Sequence, residues 1–181
     1  VYYSYGNHES RLQEPECAGY PLFEQYLDKV RALGVHVLGT ESRSISLGDN
    51  QVMLSSLELE LDYYEKGFIA PMDGSYMQER LPLMNPGMFQ ILLAHNPAYA
   101  EQYAAWGADV TFCGHNHGGL VRIPGIGSLV SPQLTLFPKY DAGRFEIEGK
   151  HVIVSRGLGT HTFHVRVFNR AELLAVEFLP E

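Results

Sequence analysis

The feature that most constrains this chain is a strand–helix–strand unit in its middle third. Residues 89–94, Phe-Gln-Ile-Leu-Leu-Ala, form a short apolar run suited to a buried strand. Asn96 then offers a side-chain oxygen to the free N–H groups of a helix start, and Pro97 has the fixed φ that suits a first helical position. The helical pattern runs to about Trp106, Gly107 ends it, and residues 109–113 read as the next strand. Strands joined through a helix lie parallel in one sheet, so the unit predicts an α/β fold class.

The flanking segments fit that class. Residues 1–5 read as a strand stopped by Gly6, with a polar loop to about Gly19. Residues 21–33 read as an amphipathic helix, with Leu22, Phe23, Tyr26, Leu27, Val30 and Leu33 at three- and four-residue spacing and Gly34 as its stop. Short strands are expected at 35–38, 44–47 and 52–57, with Gly48-Asp49-Asn50 as a hairpin turn. Residues 58–86 are irregular, acidic at first and then rich in Met, Tyr and Pro, and read as a surface cap or a substrate loop. After Gly119 the pattern becomes mostly β, with strands expected at 120–123, 144–148, 152–155, 165–168 and 173–178. No repeat, low-complexity tract or linker divides the chain, which predicts a single domain over residues 1–181.

Composition narrows the function classes. With 45% apolar and 19% charged residues, the chain is neither disordered nor a coiled coil. A formal charge of −8 disfavours a general nucleic-acid binder, whose affinity rests on basic contacts to phosphates. It leaves a phosphate substrate open, because bound divalent cations invert the local field. Cys17 and Cys113 make no disulfide framework, and Cys113 reads as a small core residue. Val1 opens directly into a strand pattern, so residues upstream are expected. Any signal or membrane anchor would lie there, and localisation stays open.

Three strands run into polar, metal-competent residues: Gly6-Asn7-His8-Glu9, His95-Asn96-Pro97 and Gly114-His115-Asn116-His117. In α/β proteins ligands gather at the carboxyl ends of strands, so the three segments are expected to converge. Neutral imidazole nitrogen and amide oxygen suit manganese, iron or zinc. In an extended segment residues two apart point the same way, so His115 and His117 would each address one of two neighbouring ions. Two ions roughly 4 Å apart clamp the attacking and leaving oxygens of a displacement at phosphorus. The lone histidines His36, His151, His161 and His164 read as structural or surface residues. A His-Glu-x-x-His motif and a Gly-x-x-x-x-Gly-Lys loop are both missing from the sequence, which disfavours a zinc protease and a P-loop enzyme. Arg156-Gly157-Leu158-Gly159-Thr160 reads as a tight turn between strands or a loop lining the site.

Taken together, Gly6-Asn7-His8-Glu9, His95 and Gly114-His115-Asn116-His117 resemble the later motifs of calcineurin-like metallophosphoesterases. Ile91-Leu92-Leu93-Ala94-His95-Asn96-Pro97, Gly118-Gly119-Leu120-Val121-Arg122-Ile123-Pro124, Val154-Ser155-Arg156-Gly157-Leu158-Gly159-Thr160 and Phe168-Asn169-Arg170 resemble a bacterial branch of predicted phosphohydrolases in that family. The resemblance implies part of a four-layered αββα sandwich and hydrolysis of phosphodiesters or phosphomonoesters by a metal-bound hydroxide at a dimetal centre. It implies that Asn7, His95 and His115 hold one divalent ion and that His117 helps hold the other. His8 would be the general acid or transition-state stabiliser, and Glu9 would orient its loop. The family's Asp-x-His and Gly-Asp motifs lie upstream of Gly-Asn-His, so at most a partial site for two ions (manganese, iron or zinc) is expected here. The alternative reading is a catalytically incomplete remnant that serves as a binding or assembly module. An unpaired sheet edge would favour self-association. The resemblance implies a small phosphate-ester substrate, with nucleotides, lipid headgroups and cell-wall phosphates all open.

Overall fold

The computed structural model describes residues 1–82, 85–160 and 166–179. The first half holds β1 (Tyr2–Ser4), α1 (Asn7–Leu12), α2 (Tyr20–Ala32), β2 (His36–Leu38), β3 (Glu41–Leu47), β4 (Asn50–Leu57) and α3 (Tyr76–Arg80). The second half holds β5 (Phe89–Ala94), α4 (Ala100–Trp106), β6 (Val110–Cys113), β7 (Val121–Ile123), β8 (Gly127–Val130), β9 (Gly143–Ile147) and β10 (Lys150–Val154). Six strands form one mixed sheet in the order β3-β4-β5-β6-β10-β9. The pairs β4–β5, β5–β6 and β6–β10 are parallel, and an antiparallel hairpin closes each edge. β1 and β2 form a separate parallel pair, and β7 and β8 an antiparallel one. The fold is mixed α/β, and it agrees with part of the layered sandwich that the resemblance implies.

Alternation along the central strands explains the layering. Leu92 and Ala94 of β5, Cys113 of β6 and Val152 and Val154 of β10 pack with Ala100 and Tyr103 of α4. The intervening residues Ile91, Val110 and Ile153 pack on the opposite face with Val52 and Leu54 of β4 and Leu38 of β2. Both faces of the sheet are therefore buried, which is why the sequence reads as near-continuous apolar runs there. Each fully buried side chain of this kind contributes about 1.5–3 kcal/mol. A hydroxyl contact, Ser4 Oγ to Ser56 Oγ at 2.7 Å, ties β1 to β4. Asn96 Oδ1 accepts from the Ala98 N–H at 3.1 Å, and Gly107, at φ 113°, ends α4 in the left-handed region. The expected hairpin turn holds Gly48 at φ 60° between β3 and β4.

Several expectations need correction. Asn7–Leu12 is a helix, not a loop, because Glu9 Oε2 accepts the otherwise free Gly6 N–H at 3.0 Å and Gly6 O accepts from Ser10 N–H at 3.0 Å. Only part of the α2 stripe is buried: Phe23 and Leu27 pack with Tyr5, while Leu22, Tyr26 and Leu33 are exposed. The two-stranded layer of β1 and β2 is too narrow to cover more of that helix. The irregular 58–86 region is more than a surface cap, since Leu59, Tyr64, Met72, Met77 and Leu81 are buried in the main core. β8 was not anticipated, and residues 173–178 form no strand, because their alternating apolar residues find no ladder partner and Leu173 stays 87% exposed. Val167 makes only an isolated bridge to Val121, and Val165 lies outside the described residues.

Candidate functional site

Two glycines define the floor of the site. A Cβ built on Gly6, at the end of β1, would lie 2.9 Å from Cε1 and Nε2 of His95. A Cβ on Gly114, just after β6, would lie 3.2 Å from Cε1 of the same ring. His95 follows β5 directly, so the three strand ends meet at its imidazole. The His115 ring stands edge-on to it with centroids 5.5 Å apart. Tyr64, from the turn Leu61–Tyr64, packs 5.0 Å from His115 and 6.2 Å from His95.

The loop after β6 is tightly wound. His115 and His117 have φ of 59° and 47°, and Gly118 and Gly119 also lie in the left-handed region. Histidine tolerates that region better than most residues, and such backbone is concentrated at functional sites. The Asn116 N–H donates to Gly114 O and the Gly119 N–H to Asn116 O, both at 2.6 Å. The extended geometry that would send His115 and His117 to the same side therefore does not hold. His115 is buried and meets Gln133, whereas His117 is half-buried, bonds the Gly159 backbone and feels Arg166. Asn116 Nδ2 donates to Tyr140 O at 2.8 Å, and Asn169 Nδ2 donates to His117 O at 2.6 Å and to Gly119 O at 2.8 Å. These amides lock the loop. The Gly159 contact makes the 156–160 segment part of the site lining.

Burial lowers the pKa of two of the site imidazoles, His95 and His117. Burial pushes His95 down to about 4, His117 and His8 add to that, and Glu9 opposes it. Burial also lowers His117, with Arg166 next in size and His8 adding a smaller push, against the Gly159 backbone bond. His8 is exposed on the first turn of α1, and Asn7 beside it is buried. Elsewhere His36 stacks on Tyr2 and His151 meets Arg144, away from this cluster. His161 and His164 lie outside the described residues.

Imidazole nitrogen is a donor type that fits a divalent first-row cation, and Asn7, whose amide oxygen is another, is buried. Among the described residues no group of three or more His, Cys, Asp or Glu is placed to hold a metal ion. Glu9, the carboxylate that acts on His95, directs Oε2 at the Gly6 N–H. The described residues thus fit part of a coordination shell and supply no bridging carboxylate. Gln133, Tyr64 and Asn169 escaped the sequence reading as site residues, because each reaches the cluster from a distant irregular segment. For Asn169 the motif Phe168-Asn169-Arg170 was a local sign, and for Gln133 the only one was an amide between Pro132 and Leu134.

Over about half its length the chain is similar to phosphoesterases. It is 28% identical over 93 residues to the uncharacterized metallophosphoesterase YkuE of Bacillus subtilis (strain 168), covering 51% of this chain and 32% of that protein. It is 30% identical over 98 residues to the phosphodiesterase YaeI of Escherichia coli (strain K12), covering 54% and 35%. A longer match, 24% over 172 residues, is to the uncharacterized protein YpbG of Bacillus subtilis, covering 92% and 54%. The chain thus spans between about a third and a half of the curated relatives it matches. No family model matches the chain, and no solved structure matches it significantly.

Proposed function

We propose that the protein to which this chain belongs is a metal-dependent phosphoesterase that hydrolyses phosphodiesters or phosphomonoesters. The observation that carries this reading is the meeting of His95, His115 and Gly6 at three strand ends, with His8 and His117 in electrostatic reach of His95. Similarity to proteins named metallophosphoesterase and phosphodiesterase supports it independently.

In this reading Asn7, His95 and His115 hold one divalent cation and His117 contributes to a second. Such cations, when bound, polarise phosphate oxygens and make water nucleophilic at neutral pH. The chain's own residues do the rest. Burial keeps His95 unprotonated well below neutral pH, so its lone pair stays available. Gly6 and Gly114 leave room for its ring: a Cβ at position 6 would fall 2.9 Å from it and one at position 114 would fall 3.2 Å away. His8, exposed on α1, would donate a proton to the oxygen that leaves as the P–O ester bond breaks.

The test is metal stoichiometry by elemental analysis after incubation with manganese and desalting, paired with hydrolysis of a chromogenic phosphodiester. About two ions per chain together with hydrolysis in the full-length protein supports the reading. A full-length protein that binds no metal and hydrolyses neither class of ester would instead be a binding or assembly module.

A further inference from the structure

Around the candidate site the chain changes sign. None of its 21 acidic residues falls within residues 114–140 or 155–171, whereas Arg122, Lys139, Arg156, Arg166 and Arg170 do. The two segments follow the carboxyl ends of β6 and β10, and a bridge between Val121 and Val167 joins them. Acids from outside pair three of these cations: Asp141 with Arg122 at 2.8 Å, Glu101 with Lys139 at 2.7 Å, and Glu172 with Arg156. Among the described residues Arg166 and Arg170 pair with no carboxylate. Arg170 is exposed, and Arg166 lies near enough to His117 to act on it.

The same two segments expose large apolar side chains. Leu134, Leu136 and Phe137 do so after β8, and Leu158 and Phe168 after β10, with Phe168 76% exposed. They adjoin residues that anchor the site. Leu134 follows Gln133, which meets His115 Nε2 at 3.2 Å, and Leu158 precedes Gly159, whose backbone bonds His117. Phe168 precedes Asn169, whose amide donates to His117 O at 2.6 Å. The Gly67 N–H donates to Gln133 O at 2.6 Å and so brings the exposed Phe68 and Ile69 to the same rim. Leu134, Phe137 and Phe168 have φ of 63°, 46° and 51°, a region that bulky residues rarely enter. Such backbone is concentrated at functional segments, and none of the three side chains belongs to a core cluster that would explain it.

We infer that this face docks on an anionic lipid bilayer, with Leu134, Phe137 and Phe168 entering the headgroup region and Arg170 meeting lipid phosphates. A rim that is apolar, cationic and free of acids, on a chain of formal charge −8, complements a surface that is both apolar and negative. The occupant must also leave the candidate site facing phosphate esters. A bilayer does so, because its phosphates lie directly above its hydrocarbon. The docking stands on the face alone. The further step, that the esters hydrolysed are lipid phosphates, rests on the phosphoesterase reading.

The experiment is hydrogen–deuterium exchange of the full-length protein, in EDTA, with vesicles of phosphatidylcholine alone or mixed with phosphatidylglycerol. The expected result is protection of residues 131–138 and 166–170 by the mixed vesicles, and less by phosphatidylcholine alone. Phe137→Asn combined with Phe168→Asn removes both rings, and asparagine accepts positive φ, so the fold is kept. That variant is expected to bind mixed vesicles at least about 10-fold more weakly, whereas Leu22→Ser, at an exposed apolar position on α2, should change nothing. Loops that mixed vesicles do not protect leave the face to a protein partner and overturn the inference. So does protection unchanged in the double variant. Protection of these loops that grows with protein concentration in the absence of vesicles makes the occupant a second copy and also overturns it. With metal restored, hydrolysis of water-soluble esters alone, docking intact, overturns the lipid-phosphate step. A protein that docks but binds no metal and hydrolyses no ester fails the phosphoesterase reading and leaves the docking standing.

Discussion

Gly6 and His95 share one space: the Cβ that any other residue would bring to position 6 falls 2.9 Å from Cε1 and Nε2 of the imidazole. Gly6 has φ −105° and ψ −178°, which any residue adopts, so the requirement for glycine is purely steric. Gly6→Ala is expected to push the His95 ring aside and destabilise the protein by about 1–3 kcal/mol. Gly39→Ala is the control, since a Cβ there meets nothing within 4 Å. Equal thermal midpoints for the two variants would contradict the close packing.

The pH dependence of stability follows from His95. Its folded pKa, about 4, lies below the ordinary 6.5, so the unfolded chain takes up a proton first as pH falls. The folded state is therefore favoured at high pH and loses ground between pH 6.5 and 4. From these two values the loss between pH 7.5 and pH 5 is about 2 kcal/mol. Urea unfolding at the two pH values measures it, and His95→Gln should flatten that slope even if it lowers stability at both.

Replacing His95 or His115 by Ala in the full-length protein should lower both metal occupancy and hydrolysis by orders of magnitude. Elemental analysis and a chromogenic assay check this side by side. Unchanged occupancy in both variants would remove them from the ligand set.

His8 is exposed, unlike His115, and its proposed work is proton donation. His8→Ala should leave metal content nearly intact while slowing turnover by about 10²- to 10⁴-fold. Loss of metal along with activity would make His8 a ligand.

We propose that this chain self-associates. Among the described residues no further strand pairs with β1 or β2, and α2 exposes Leu22, Tyr26 and Leu33 beside them. Two strands are too few for independent stability, and an open edge is a template for pairing. Light scattering should show mass rising with concentration, and Leu22→Glu with Tyr26→Glu should suppress the rise. A monomer at every concentration contradicts it.

The central sheet was legible because its strands are buried on both faces. The runs at 89–94 and 109–113, with Asn96, Pro97 and Gly107 between them, announce their own starts and stops. The strand-end motifs were legible for the same reason, since a polar His-containing cluster directly after an apolar run has few structural uses. Helix α1 was missed because six residues carry no readable period and its start depends on one Glu9–Gly6 bond. The strand expected at 173–178 failed for the opposite reason: the alternation is present, but a strand exists only where a neighbour offers a ladder.

By itself the sequence determined which residues are chemically competent and which local elements surround them, because capping, burial period and side-chain chemistry act over a few neighbours. Tertiary structure alone decided how those residues are used. It turned His115 and His117 toward different partners through left-handed backbone, lowered His95 by burying its ring between two glycines, and brought Gln133 and Tyr64 onto His115 from segments 18 and 51 residues away in the chain. Those effects depend on contacts between distant segments, which no local pattern encodes.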